Sequence, residues 1–192
     1  MGLEMMTDAT FRTARRFGAL ALIGALAACA TQEPIDPRVA ATTANTTSEK
    51  TEFDVNRNFE GPKITVPGAA DSWSLMRSWT NKRGNVVLHQ VYVHVAYTGP
   101  AREYGSASYE GGVPADFAVI DSGDDCGLRA AAQEVCPRFE DVRINLDPKT
   151  FEKELGDDGK LRFRLNPKRG DGLVVEVPPY YIEGYLKALE AF

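Results

Sequence analysis

Apolar residues recur at every second position over most of the chain after Thr51, and this alternation restricts the fold more than any other feature. The stretch "SWSLMRSWT" places Trp73, Leu75 and Trp79 on one face of a strand and serines on the other. A turn, "NKRG", separates it from the long alternating run "VVLHQVYVHVAY". The pattern predicts an antiparallel hairpin made of these two runs.

Four further runs have the composition of strands. They are "DFAVI", "DVRINL", "KLRFRL" and "LVVEV", and the last two are joined by the turn sequence "NPKRGDG". The first pair and the second pair each predict a hairpin. The sequence therefore indicates a β-rich domain with an antiparallel sheet.

Two helices are predicted from their start signals. Asp147-Pro148 begins a short helix that ends at Gly156. Pro178-Pro179 begins a C-terminal helix with an apolar stripe, which comprises Ile182, Tyr185, Leu186 and Leu189. The predicted fold class is α+β to mainly β, with a sandwich-like antiparallel sheet, a short helix and a packed C-terminal helix.

The amino terminus has the layout of an export signal. Arg12, Arg15 and Arg16 precede an uncharged apolar run over residues 17–28, which is too short for a comfortable membrane span. The end of that run, Leu26-Ala27-Ala28-Cys29, resembles the lipobox of bacterial lipoproteins. The resemblance implies cleavage before Cys29 and a lipid on its sulfur, and Ala30 implies the outer membrane of a two-membrane cell. An ordinary secretory signal with Ala-x-Ala cleavage is the alternative.

These features divide the chain into three parts. Residues 1–28 are the predicted lipoprotein signal peptide, and residues 29–50 are a lipidated terminus with a flexible tether, because that stretch is rich in Thr and Ala and poor in large apolar groups. Residues 51–192 form one globular β-rich domain. The net charge of −5 argues against nucleic acid as a partner.

Cys126 and Cys136 remain after Cys29 is assigned to lipid, and in an oxidising compartment such a pair predicts a disulfide. A continuous helix over "CGLRAAAQEVC" would separate them by about 15 Å, which is too far for a disulfide. The segment must therefore fold back as a loop between two strands.

No catalytic, metal or cofactor motif is predicted. His89 and His94 lie five residues apart on a strand, so they point to opposite faces and cannot share an ion. "YGSASY" lacks the serine of a G-x-S-x-G motif, and "DSGDDCG" fails the EF-hand spacing from Asp121.

Two segments are candidates for a partner surface. Arg162 and Arg164 share a strand face with Lys160, and Lys168 and Arg169 extend the positive charge into the next turn. The long glycine-rich loop "TGPAREYGSASYEGGVPAD" carries Tyr104 and Tyr109. The partner would be an envelope protein, a glycan or a lipid head group. A solvated strand face that discourages edge pairing also explains the charges.

The sequence alone therefore predicts a membrane-anchored periplasmic lipoprotein, with a non-enzymatic binding or structural role in the cell envelope. The alternative is an enzyme or small-ligand carrier whose pocket forms only in the fold. That alternative would use His89 or a carboxylate such as Glu140 or Asp141.

Overall fold

The structure is a computed structural model that describes residues 35–50, 56–124 and 136–191, and it confirms the predicted antiparallel β-rich fold. The α-helices within these residues are α1 (Pro37–Asn45) and α2 (Pro179–Glu190). The strands there are β1 (Thr47–Glu49), β2 (Asn58–Glu60), β3 (Ile64–Thr65), β4 (Trp73–Thr80), β5 (Val86–Thr98), β6 (Tyr104–Tyr109), β7 (Asp116–Asp124), β8 (Pro137–Leu146), β9 (Leu161–Pro167) and β10 (Leu173–Val177). None of the helices in these ranges is long and apolar enough to cross a membrane.

The strands form two antiparallel sheets. The larger sheet has the order β1-β2-β4-β5-β8-β7, with β3 also paired to β4, and the smaller sheet has the order β10-β9-β6. The three predicted hairpins, β4–β5, β7–β8 and β9–β10, are all confirmed by their antiparallel registers. Two of these hairpins have short turns, and β7 pairs with β8 although 12 residues separate the two strands.

A single hydrophobic core is shared by both sheets and α2. Val91, Val93 and Val95 of β5 are fully buried, and so are Leu161 and Phe163 of β9. Burial of each such side chain contributes roughly 1.5–3 kcal/mol, so this core is the main stabilising element of the domain.

The core-facing side of β4 is the serine side. The register places Ser78 beside His89 and Ser74 beside Val93 on the buried face, while Trp73 lies beside His94 on the opposite face. Ser78 is hydrogen-bonded there, whereas Ser74 Oγ has no partner within the described residues. The tryptophan side of this strand therefore faces outward, although it is the more apolar of the two.

Helix α2 is joined to the large sheet by tyrosine hydroxyls. The Tyr181 hydroxyl donates to the Pro62 carbonyl at 2.7 Å and accepts from the Met76 amide at 3.1 Å. Ile182 and Tyr185 of the predicted stripe are buried, but Leu186 and Leu189 are only partly buried. The buried residues of α2 therefore lie mainly in its first half, whereas the predicted stripe extends to Leu189. Tyr181 and Tyr185 are held there by hydrogen bonds to groups inside the core.

The prediction of a flexible tether over residues 29–50 is wrong from Pro37 onward. Asp36 caps α1 by accepting from the Arg38 amide, and Pro37 occupies the first turn. The Thr43 hydroxyl reaches the Gly184 carbonyl of α2 at 3.0 Å, and a Cβ on Gly184 would lie 2.6 Å from the Val39 carbonyl oxygen. The small residues therefore allow close helix packing, and the compact domain begins before residue 51.

Two local predictions also need correction. The helix predicted after Asp147-Pro148 is reduced to a turn and a 3-10 helix, Phe151–Glu154, with Phe151 buried. The segment predicted as a long loop contains β6, which pairs with β9. Tyr104 and Ala107 both reach the core because the strand has a bulge at Gly105, and this burial outweighs the loop propensity of the glycines.

Candidate functional site

His89 belongs to a buried hydrogen-bond chain between β4, β5 and α2. The Tyr185 hydroxyl donates to Ser78 Oγ at 2.7 Å, and Ser78 Oγ lies 2.6 Å from His89 Nδ1. Burial lowers the pKa of His89 to about 4, so the imidazole is neutral at pH 7. The Tyr185 hydroxyl, Ser78 Oγ and the His89 imidazole therefore form one continuous hydrogen-bond chain.

This chain places a serine beside a histidine, as catalytic serine–histidine pairs do, but a substrate cannot reach the serine hydroxyl. Ser78 and Tyr185 are completely buried, and the His89 ring packs edge-on against Phe151, with centroids 5.1 Å apart. A substrate carbonyl has no route to a hydroxyl in this position. The chain therefore connects α2 to the sheet, and its role is structural.

His94 lies on the opposite face of the same strand, as the sequence predicts. Its Nδ1 is 2.6 Å from Asp141 Oδ1, and its ring stacks between Trp73 and Phe139 at centroid distances of 5.3 and 5.7 Å. Burial, followed by the Asp141 hydrogen bond, raises the pKa of Tyr92 beside it. Among the described residues, no group of three or more His, Cys, Asp or Glu side chains is arranged to hold a metal ion.

Glu140 is at the centre of a second buried hydrogen-bond network. Its carboxylate accepts the Tyr97 hydroxyl at 2.6 Å and the backbone amides of Glu103 and Tyr104 at 3.0 and 2.8 Å. Burial, with Glu140 as hydrogen-bond partner, raises the pKa of Tyr97 to about 12. Every oxygen of this carboxylate is used to hold the chain that leads into β6.

The residues named for the enzymatic alternative do not converge. His89 pairs with Leu146, which is six residues, or about 20 Å, from Glu140 along β8. Asp141 faces the other side of the sheet, where it binds His94. These groups therefore do not form one pocket.

The positively charged strand face is largely neutralised by acidic neighbours. Arg162 bonds to Glu176 at 3.0 Å and also to Asp158, and Lys168 bonds to Glu103 at 3.0 Å. Hydrogen bonds from Lys160 and then Arg162 lower the pKa of Glu176. Such exposed pairs add little to stability, because water and salt screen them. Arg164 and Arg169 remain on the surface, as predicted.

Of the two tyrosines expected on a partner surface, only Tyr109 is accessible. Tyr104 is 2% exposed, so its assignment to a surface is wrong. The Glu140 carboxylate fixes its backbone and the core covers its ring, which a sequence pattern for a loop does not reveal.

Tyr109 lines a groove of about 770 Å³, the largest concavity among those found in the described part of the chain. The groove exists because β8 ends at Leu146, opposite His89, so residues 86–88 of β5 extend past it. The walls combine apolar, amide and acidic side chains: Asn81, Asn85, Val86, Val87, Leu88, Tyr109, Pro114, Asp116, Asn145, Leu146, Asp147, Pro148, Lys149, Thr150, Phe151 and Glu154.

One wall of the groove is held in position by hydrogen bonds, and another wall presents polar groups that have no hydrogen-bond partner within the described residues. Asn145 accepts from Gln90 and donates to Asp116, both at 3.1 Å, which sets the position of that wall. The Tyr109 hydroxyl and the Glu154 carboxylate make no hydrogen bond within the described residues. Burial, followed by the charges of Glu154 and Asp116, raises the pKa of Tyr109 to about 12.

Several predicted features lie outside the described residues. These are the signal peptide, the lipobox with Cys29, and Cys126 with the loop that follows it. Cys136 is buried at the start of β8, and its disulfide with Cys126 stays a prediction. No protein-family model, curated protein or solved structure matches this chain.

Proposed function

We propose that the protein is a lipid-anchored binding module on the periplasmic face of the cell envelope, in the outer membrane of a two-membrane cell, and that its ligand occupies the Tyr109 groove. The observation that carries the proposal is the contrast in hydrogen bonding. Both oxygens of the buried Glu140 carboxylate accept hydrogen bonds from the domain itself, whereas the Tyr109 hydroxyl and the Glu154 carboxylate have no hydrogen-bond partner within the described residues and lie beside the exposed apolar Val87.

A small-ligand carrier or an enzyme is the second candidate. The groove volume of about 770 Å³ falls in the range of small-molecule sites, which favours this candidate over a purely structural role. Of the two, a carrier is favoured over an enzyme, because a carrier needs no catalytic residues and the Ser78–His89 pair is inaccessible.

The anchor is tested by Cys29→Ser in intact cells. The wild-type protein should incorporate radioactive palmitate and sediment with membranes, because several acyl chains hold a protein firmly. The variant should lose the label and leave the membrane fraction. Label that persists in the Cys29→Ser protein would contradict the anchor.

The compartment is tested by Cys126→Ser. An oxidising space predicts that both cysteines of the wild-type domain resist maleimide after denaturation, whereas the variant reacts at Cys136. Failure of the denatured variant to react would count against the disulfide.

The groove is tested by affinity purification of the acylated protein from detergent-solubilised membranes. Tyr109→Ala and Glu154→Gln should each lose the ligand or partner that copurifies with the wild type. The matched control is Glu49→Gln on β1, an exposed carboxylate outside the groove that should retain it. Equal recovery with all three variants would contradict the assignment of the groove.

A further inference from the structure

β7 is an edge strand of the large sheet. It pairs with β8 on one side, and within the described residues its other side pairs with no strand. At its beginning the chain approaches β6, where the Ala115 amide donates to the Ala107 carbonyl at 2.9 Å. Beyond that point β6 and β7 separate and leave a cleft of about 390 Å³ between Val119–Asp124 and Glu103–Gly105.

The charges on this edge are all acidic: Asp116, Asp121 and Asp124. Natural edges carry charged side chains, proline or bulges that block pairing, and acidic charges oppose an acidic strand but attract a basic one. Residues 116–124 contain no lysine, arginine or proline, and the strand has one bulge, at Ile120. Val119 and Ile120 are 45% and 49% exposed in the middle of the strand. A long edge with exposed aliphatic side chains is a template for another strand.

We propose that β7 is the docking edge for an extended segment of a partner protein, which adds a strand to the large sheet. Apolar side chains of the segment face the cleft beside Val119, and its lysine or arginine side chains lie on the outer face of the sheet. The inference goes beyond the ligand proposed for the groove and does not require the lipid. Asp116 also lines the groove, whereas Asp121, the residue changed in the test below, does not.

Charge favours a basic segment. Asp116 and Asp121 are exposed on the outer face of β7, and neither has a cationic partner in the described part of the chain. Because Ile120 is bulged, the two aspartates are four ladder positions apart, or about 13 Å. Basic residues at positions i and i+4 of the segment match this spacing.

The same charges disfavour a second copy of this chain. Antiparallel self-pairing centred on Ala118 would place Asp116 of each copy opposite Asp121 of the other, because the bulge at Ile120 leaves both aspartates on the outer face. Like charges in such cross-strand positions are destabilising. Within the described residues no cation pairs with Asp116 or Asp121.

The test uses full-length protein in nonionic detergent and a labelled peptide of alternating valine and lysine, with fluorescence anisotropy as the readout. Asp121→Lys should weaken binding about tenfold, because one attractive cross-strand pair becomes repulsive. The matched control is Glu49→Lys on β1, the opposite edge of the same sheet, which should retain wild-type affinity. Circular dichroism of each variant verifies the fold.

A second peptide distinguishes strand addition from simple charge attraction. N-methylation at every second residue removes backbone donors on one edge of the peptide and keeps its charge, and it should also weaken binding about tenfold. Equal loss with Glu49→Lys, unchanged binding of the methylated peptide, or a wild-type dimer in place of peptide binding would each overturn the proposal. Fractionation of Cys29→Ser and purification with Tyr109→Ala test the proposed function separately, so the two failures are distinguishable.

Discussion

His89 and His94 lie five residues apart on β5, yet they occupy different chemical environments. His89 is 4% exposed, and its burial among β4, α2 and Phe151 keeps it neutral at pH 7. His94 lies on the outer face, where water reaches a quarter of its side chain and Asp141 is its partner. The face of the strand, rather than the residue type, therefore determines what each histidine contributes.

Each histidine uses Nδ1 to contact a side chain of the domain, Ser78 for His89 and Asp141 for His94. The outer ring stack ends at one side with Lys63 Nζ, 3.7 Å from the Trp73 ring centroid. At the other side Phe139 covers Gly123 so closely that a Cβ there would lie 2.6 Å from the ring. The hydrogen-bond chain of His89 stabilises the sheet from its buried face, and the ring stack of His94 stabilises it from its outer face. We expect the buried chain to contribute more to the free energy of unfolding.

The largest expected effect is the pH dependence that His89 confers. Its folded-state pKa of about 4 is below the ordinary value of about 6.5, so the unfolded chain binds the proton first. The stabilisation is complete above pH ~6.5 and is lost as the pH falls towards ~4, by about 3 kcal/mol. Urea unfolding across this range measures it, and the loss should be absent from His89→Gln. Identical pH profiles for the two proteins would contradict the buried, neutral histidine.

Tyr185→Phe should destabilise the domain by about 1.5 kcal/mol, because Ser78 then lacks its buried donor. The control is Tyr180→Phe, whose hydroxyl makes no hydrogen bond within the described residues, with an expected change below about 0.5 kcal/mol. Urea denaturation of both variants gives the difference. Equal effects would show that the hydroxyl chain does not connect α2 to the sheet.

Asp141→Asn should lower the free energy of unfolding by about 1 kcal/mol. In this variant a neutral amide oxygen replaces the charged partner of His94, so the hydrogen bond loses its charge assistance, and water offsets part of that loss because the pair is partly exposed. The exposed Asp157→Asn is the matched control, with little change expected. A loss of stability larger than that of Tyr185→Phe would show that the outer face contributes more than the buried face, contrary to our expectation.

Lys63→Ala should have the smallest effect, about 0.5 kcal/mol, through loss of the cation over Trp73. Tryptophan fluorescence should shift with it, since the charge lies directly over the ring. Lys82→Ala in the β4–β5 turn removes an exposed lysine from the same hairpin, and it should leave both the stability and the emission unchanged.

The periodicity of the sequence was sufficient to predict the three hairpins and the opposite orientations of His89 and His94. Alternation is a local property, and short turns leave few ways to pair adjacent runs. Composition was misleading at α1. Thr and Ala indicate disorder when they have no partner, but here Thr43 and its neighbours fit against Gly184, which is more than a hundred residues away.

The candidate site was predictable only in part. Tyr109 was identified because tyrosine suits a contact surface, but the groove around it depends on where β8 ends relative to β5. The positive face around Arg162 was visible in the sequence, whereas its acidic partners Glu176 and Glu110 come from other segments. Glu176 is the cross-strand neighbour of Arg162 in the predicted β9–β10 hairpin, so that pairing follows once the register is known, whereas the contact with Glu110, 52 residues away, has no signature in a single sequence.

Photocrosslinking in intact cells tests the central claim, that the groove is the binding site of an anchored module, most directly. A photoreactive phenylalanine analogue is placed at Val87 in the groove and, separately, at Trp73 on the outer ring stack. The account predicts a specific adduct from position 87 in the membrane fraction and none from position 73. Adducts from position 73 alone, or none from position 87 while the protein is membrane-bound, would contradict it.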